Sequence, residues 1–185
     1  MKFSIIVACT DDGIIGIDNQ IPWYIPDDFK YFKKITSGYN ELNKLSIDKN
    51  IVIMGKNTWQ SITNKPLNNR INIILSNTLK LEKTVEDVYV YGSLDEIIEF
   101  IKTIHYNEIF IIGGEQVYNL VLNEKYRAFC NKIYLTRITS IHKLDKNKKI
   151  VTFPIEKLKD YKLIDNSKIH VYNQYSYVYE KYEQL

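Results

Sequence analysis

The segment from Ile14 to Thr36 is the densest in residues that could do chemistry. It holds Pro22 and Pro26, four residues apart, followed at once by Asp27 and Asp28. Two prolines at that spacing keep a chain extended. Pro26 also suits the first turn of a helix, where its missing N–H costs nothing. The two aspartates then open the helix, where the macrodipole favours negative charge, and one reading makes both of them caps. Helical geometry separates them. Asp28, Phe32 and Ile35 lie at i, i+4 and i+7 on an apolar stripe, whereas Asp27 lines up with Tyr31 and Lys34 on the side richer in lysine. Asp28 is therefore expected to point inward, where a carboxylate needs a partner or a task. Asp27 is expected to be a solvated cap.

The elements that must position these residues follow from the apolar pattern. Phe3–Cys9, Ile51–Met54, Ile71–Leu75, Val88–Tyr91 and Ile109–Ile112 are short, β-branched or aromatic, and apolar on both faces, as strands covered on both sides are. Helical patterns lie between them at Asp27–Thr36, Thr58–Ser61, Leu94–Thr103 and Glu115–Leu122. The alternation predicts one α/β domain over residues 1–185, with a mostly parallel central sheet and flanking helices. After Asn131 the helices stop. Lys132–Thr139, Tyr161–Ile164 and Ile169–Tyr182 read as strands, with Tyr175, Tyr177 and Tyr179 alternating on one face, so an antiparallel ending is expected. The polar segments Asn40–Asn50 and His142–Lys149 read as surface loops.

Composition narrows the function classes. The chain has 185 residues, 45% of them hydrophobic and 25% charged, which fits a soluble globular protein with a full core. Only seven glycines and four prolines occur, so low-complexity and collagen-like readings are out. The net charge of +3 is spread along the chain, unlike the clustered footprint of a nucleic-acid binder. Fifteen tyrosines leave an RNA-stacking module as a rival class, although the lysines are interleaved with acids. Cys9 and Cys130 cannot build a disulfide framework and point to a reducing compartment. No apolar run approaches the roughly 20 residues of a membrane span, and the N-terminus lacks a signal-peptide pattern, so a cytoplasmic location is expected.

Several segments together resemble the dihydrofolate reductase family. Ile21-Pro22-Trp23, Pro26, Asp28, Phe32 and Thr36 match its substrate segment, and Ile53-Met54-Gly55-Lys56-Asn57-Thr58-Trp59-Gln60-Ser61-Ile62 its first cofactor segment. Pro66-Leu67, Arg70, Asn72–Ser76, Ile111-Ile112-Gly113-Gly114-Glu115-Gln116-Val117-Tyr118, Tyr134–Ile138 and Thr152-Phe153-Pro154 follow in the family's order. The resemblance runs from about Ser4 to Tyr179, and the consistent order of the motifs carries it.

The resemblance implies hydride transfer from NADPH to C6 of dihydrofolate, with a proton delivered to N5. It implies that Asp28 binds the pterin and that Thr136 hydrogen-bonds this carboxylate. Ile6, Val7, Phe32, Ile62, Leu67 and Ile112 are matched to the apolar substrate contacts, for which core packing is the plain alternative. Arg70, one of only three arginines, is matched to the substrate's glutamate carboxylate. A guanidinium fork suits that group as lysine does not. For the cofactor, the matched residues are Ala8, Ile15, Gly16, Asn19, Gly55, Asn57, Thr58, Leu75, Ile112, Glu115, Gln116, Val117 and Tyr118. Gly113 and Gly114 are matched to the diphosphate, which bare backbone lets approach. Lys56, with Ser76 and Asn77, is matched to the 2′-phosphate. Asn19 to Ile21 would be a mobile loop over the nicotinamide.

The resemblance further implies that an antifolate such as methotrexate competes for the site. No metal, nucleic acid or membrane is required. His105, His142 and His170 match no catalytic position. The unit would be monomeric unless fused, since it is as similar to the reductase half of bifunctional reductase–thymidylate synthase chains as to a free-standing enzyme. A pyrimidine reductase of riboflavin synthesis is the rival enzyme; Asp28 and Arg70 in their contexts speak against it. Two departures stand out. Asn68-Asn69 replaces a common Pro-Gly, and Lys149-Ile150-Val151 supplies no acid before Phe153-Pro154, so loop coupling there is expected to differ.

Overall fold

The computed structural model describes residues 1–38, 48–139 and 148–185. In chain order, the strands and α-helices are β1 (Phe3–Thr10), β2 (Ile14–Ile17), α1 (Pro26–Thr36), β3 (Asn50–Gly55), α2 (Lys56–Ser61), β4 (Arg70–Leu75), β5 (Val88–Tyr91) and α3 (Leu94–Ile101). There follow β6 (Ile109–Ile111), α4 (Glu115–Val121), β7 (Cys130–Thr139), β8 (Ile150–Thr152), β9 (Tyr161–Asn166), β10 (His170–Tyr172) and β11 (Tyr175–Gln184). The main sheet runs β5-β4-β3-β6-β1-β7-β11-β10, with β9 also on β11. The pairs from β5 to β7 are parallel, and β11 pairs antiparallel with β7, β9 and β10. The mixed sheet with its antiparallel ending is the α/β architecture expected from the pattern.

Alternation along β1 sorts the core into two layers. Phe3, Ile5, Val7 and Cys9 pack with Leu94, Ile97, Ile98 and Ile101 of α3 and with Val117 and Val121 of α4. Each such buried aliphatic side chain contributes about 1.5–3 kcal/mol of transfer free energy. On the other face Ile6 joins Val52, Met54, Ile74, Phe110 and Trp59, with α1 and α2 residues packed against them. Tyr175 and Tyr177 close a third cluster around Trp23, Ile25 and Ile138.

Local differences from the sequence expectations have physical causes. α1 starts at Pro26, and no side chain caps it. Asp27 is exposed and pairs with Lys30 at 2.8 Å, so it is solvated but is not a cap. The segment 169–182 breaks into a hairpin because Asn173 takes φ of 52°, a left-handed geometry Asn accepts. Asn50 is not a loop residue: it is 2% exposed and opens β3. Residues 40–47 and 142–147 of the two expected loops lie outside the described residues. The small sheet β2–β8 was not expected at all.

Candidate active site

The candidate site is built where α1 crosses the face of the sheet that carries Ile6. The strand register places Ala8, Thr136 and Tyr179 side by side across β1, β7 and β11. α1 meets this row through Asp28 and Tyr31, and the Thr136 hydroxyl donates to Asp28 Oδ1 at 2.6 Å. Thr136 is 2% exposed and Asp28 is half-buried. Burial pushes the Asp28 carboxyl above its usual range, and the Thr136 hydrogen bond pulls partly the other way. Tyr31, also on α1, stacks against Tyr179 with ring centroids 4.1 Å apart.

Farther along the same face, Phe32, Ile62, Leu67 and Ile112 gather around the cluster that contains Ile6. Leu67 is held by Asn72, which is fully buried. Asn72 Oδ1 accepts from the Leu67 N–H at 2.9 Å, and its Nδ2 donates to the Leu67 carbonyl at 3.1 Å. Asn69 takes φ of 60°, so the turn survives without the Pro-Gly pair. Arg70 is 5% exposed. Its Nη1 donates to the Thr36 hydroxyl at 2.7 Å, its Nε donates to the Asn68 carbonyl at 3.0 Å, and its guanidinium lies over the Phe32 ring. Burial lowers its pKa to about 10. No carboxylate side chain pairs with it among the described residues.

A second set of residues converges at the ends of β3 and β6. The Gly55 N–H donates to the Gly113 carbonyl at 2.8 Å, which joins the two glycine turns. The Gly113-Gly114 peptide is cis, and Gly113 has φ of 105°. A Cβ on Gly113 would lie 2.9 Å from the Tyr118 hydroxyl, and one on Gly114 would lie 3.3 Å from Thr58 Oγ1. The bare backbone is therefore required by geometry at Gly113, while Gly114 has little room to spare. Tyr118 donates to the Ile6 carbonyl at 2.9 Å, linking this turn to β1 and the first cleft. Lys56 opens α2, and its Nζ donates to Thr78 Oγ1 at 3.0 Å. The Ser76 hydroxyl accepts from the Thr78 and Leu79 N–H groups and holds the turn that presents Thr78. Asn77 on this turn lies beside Gly92. Asn57 and Gln116 are exposed.

Of the other matched residues, Leu75 pairs with Gly55 in the sheet and the Val117 N–H donates to the Gly114 carbonyl at 2.9 Å, whereas the rest stand apart from both sets. Val7 and Val117 send their side chains into the core on the α3 and α4 face. Ile15 and Leu75 pack against that core. Cys9 is buried there as well, and burial pushes its thiol up to about 12, so it is a packed thiol. Gly16 is required by β8, since a Cβ there would lie 2.8 Å from Val151 Cγ2. Asp18 and Asn19, both at positive φ, form the turn that brings Ile17 opposite Gln20.

Two acids from elsewhere in the chain contact the segment before Phe153. Asp18 Oδ1 accepts from the Lys149 N–H at 3.0 Å, and Glu115 Oε1 accepts from both the N–H and hydroxyl of Thr152 at 2.9 Å. These contacts, with Thr78 and Asn72, escaped the sequence reading. For Thr78 a polar residue two positions after Ser76 was the available signal. Among the described residues no group of His, Cys, Asp and Glu could hold a metal, and no helix is long and apolar enough to cross a membrane.

Comparison with known proteins points to one family. The family model described as "Dihydrofolate reductase" matches residues 2–184. The "Dihydrofolate reductase" of Buchnera aphidicola is 41% identical over 140 residues, covering 75% of this chain and 73% of that protein. The "Bifunctional dihydrofolate reductase-thymidylate synthase" of Acanthamoeba polyphaga mimivirus is 35% identical over 176 residues, covering 90% of this chain and 30% of that protein. The bifunctional protein of Glycine max is 35% identical over 145 residues, 75% of this chain. This chain spans 26% of the Glycine max relative, 30% of the mimivirus one and 38% of that from Paramecium tetraurelia.

Proposed function

The chain belongs to the dihydrofolate reductase family, and from that premise we propose that it reduces 7,8-dihydrofolate to tetrahydrofolate with NADPH. The observation that carries the reading is the Asp28–Thr136 pair, a half-buried carboxylate held by one neutral donor on an apolar cleft wall. Such a carboxylate is short of partners, and the amino and ring N–H groups of a pterin supply them.

Phe32, Ile62, Leu67 and Ile112 enclose the rings and exclude water, and Arg70 takes the tail carboxylate in a bidentate grip. C6 becomes a better hydride acceptor when N5 is protonated. The negative charge of Asp28, in a dry site, favours that cation, and a water delivers the proton. NADPH, when bound, supplies the hydride. The residues fit it: the Gly113-Gly114 backbone, where Gly113 leaves no space for a Cβ, gives a diphosphate room, and Lys56 beside Thr78 offers a charge and a hydroxyl to the 2′-phosphate. Asn19 to Ile21 close over the nicotinamide. The unit acts as one monomeric domain unless fused to a synthase. Its two buried free thiols support a cytoplasmic setting.

The test is oxidation of NADPH, followed by the loss of reduced-nicotinamide absorbance, with dihydrofolate present and with methotrexate as competitor. Turnover that depends on dihydrofolate and is inhibited competitively supports the reading. NADPH binding with no turnover on dihydrofolate would overturn it.

A further inference from the structure

Asn50 opens β3 beside the C-terminus of α1, and its buried amide must find its hydrogen bonds inside the protein. Its Nδ2 donates to the Thr36 carbonyl at 3.0 Å. That carbonyl belongs to the last turn of α1, where a helix leaves its acceptors without intrahelical partners. Asn50 Oδ1 accepts twice, from Asn107 Nδ2 at 3.0 Å and from the Glu108 N–H at 3.1 Å. Those two donors fix which end of the amide faces Thr36. The amide thus ties the end of α1 to the segment that leads into β6.

Thr36 supplies the one side-chain hydrogen bond to Arg70 found among the described residues, beside the Asn68 carbonyl. Its hydroxyl donates to the Phe32 carbonyl at 2.8 Å, which leaves its lone pairs to receive Arg70 Nη1 at 2.7 Å. Thr36 is fully buried, so a shift of its backbone carries the hydroxyl and the guanidinium with it. We propose that Asn50 is a positioning residue for recognition of the substrate's carboxylate: it clamps Thr36, and through Thr36 it aims Arg70. The proposal rests on the role given above to Arg70. A plain structural role for Asn50 would lower stability and weaken every ligand alike. The clamp acts on the tail carboxylate alone, because the pterin is held by Asp28 at a different part of α1.

The experiment compares KM and kcat for dihydrofolate with those for a dihydropterin lacking the glutamate tail, alongside NADPH affinity and melting temperature. Arg70→Leu is the control and should raise KM for dihydrofolate by about 100-fold while the tail-less substrate changes by less than about three-fold. Asn50→Ala should raise KM for dihydrofolate about ten-fold, with kcat, the tail-less KM and NADPH affinity within about two-fold. Asn107→Ala removes one of the two donors that orient the amide, on an exposed residue, and should give the same split at about three-fold. If Asn50→Ala does not fold, Asn107→Ala decides. Equal rises for both substrates, or no change in a folded variant while Arg70→Leu shows the split, would overturn the clamp. If Arg70→Leu itself shows no split, the reading of Arg70 fails and the clamp falls with it.

Discussion

Asp28 and Arg70 each bring a charge into the lining of the cleft, and among the described residues neither is matched by an opposite charge from the protein. Each is held by a threonine instead. Thr136 donates its proton to the carboxylate, and Thr36 turns a lone pair toward the guanidinium. Burial acts on the two in opposite directions, raising the Asp28 pKa and lowering that of Arg70. In both cases the charged form is the one made costly. Arg137 on β7 shows the contrast. Its guanidinium meets both Glu180 oxygens at 3.0 Å and the Tyr182 hydroxyl, and its pKa moves up despite the burial that opposes it. An arginine completed by its own chain is a structural element. A carboxylate and an arginine with no opposite charge from the described residues, on one face of the sheet, are what carries the proposal of a ligand with N–H donors at one end and a carboxylate at the other.

The largest expected effect comes from removing charge at the pterin end. Asp28→Asn should lower kcat/KM at pH 7 by about 10³-fold, with partial recovery in acid as solvent protonates the substrate. Near-normal activity at pH 7 would break the comparison at that end. Lys56→Ala lies outside the pair and should sharpen it by leaving both substrate ends intact. It should weaken NADPH by about ten-fold more than NADH, measured by fluorescence titration. Equal losses would remove Lys56 from the 2′-phosphate site.

Thr136→Val tests the threonine half of the argument. Without its donor the Asp28 carboxyl rises further, so the acid limb of the rate profile should move to higher pH, and kcat/KM at pH 7 should fall about three- to ten-fold. The smallest effect is on stability. Because burial raises Asp28 above its unfolded value, the folded chain binds more protons between those two values, and stability declines as pH rises through that window. Asp28→Asn should therefore melt above the wild type at pH 7, with the gain shrinking as pH falls into the usual carboxylate range.

Much of this cleft was legible because local spacing controls it. The i, i+4, i+7 stripe placed Asp28 inward without any knowledge of Thr136, which lies 108 residues away. Doubly covered strands read as apolar runs, and Asn69 could be trusted to hold a left-handed turn. What escaped was polar structure made by distant partners. Asn50 looked like the end of a hydrophilic loop, since its three hydrogen bonds go to residues 14, 57 and 58 positions off. Asn72 reads as a lone polar residue in a strand until Leu67 turns back onto it. The β2–β8 sheet was invisible for the same reason: each strand is three or four residues long, and its register is set by a partner more than 130 residues away. Val7 and Val117 carried the right motif, but strand and helix periodicity sends their side chains into the core.

The central claim is that the two incomplete charges read opposite ends of one substrate. It is tested most directly by kcat/KM for Asp28→Asn and Arg70→Leu, each on dihydrofolate and on a dihydropterin without the tail. The account predicts that Asp28→Asn loses the same factor, about 10³, on both substrates. Arg70→Leu should lose about 100-fold on dihydrofolate and little on the tail-less compound. Equal losses on both substrates for Arg70→Leu, or a loss for Asp28→Asn that depends on the tail, would contradict it.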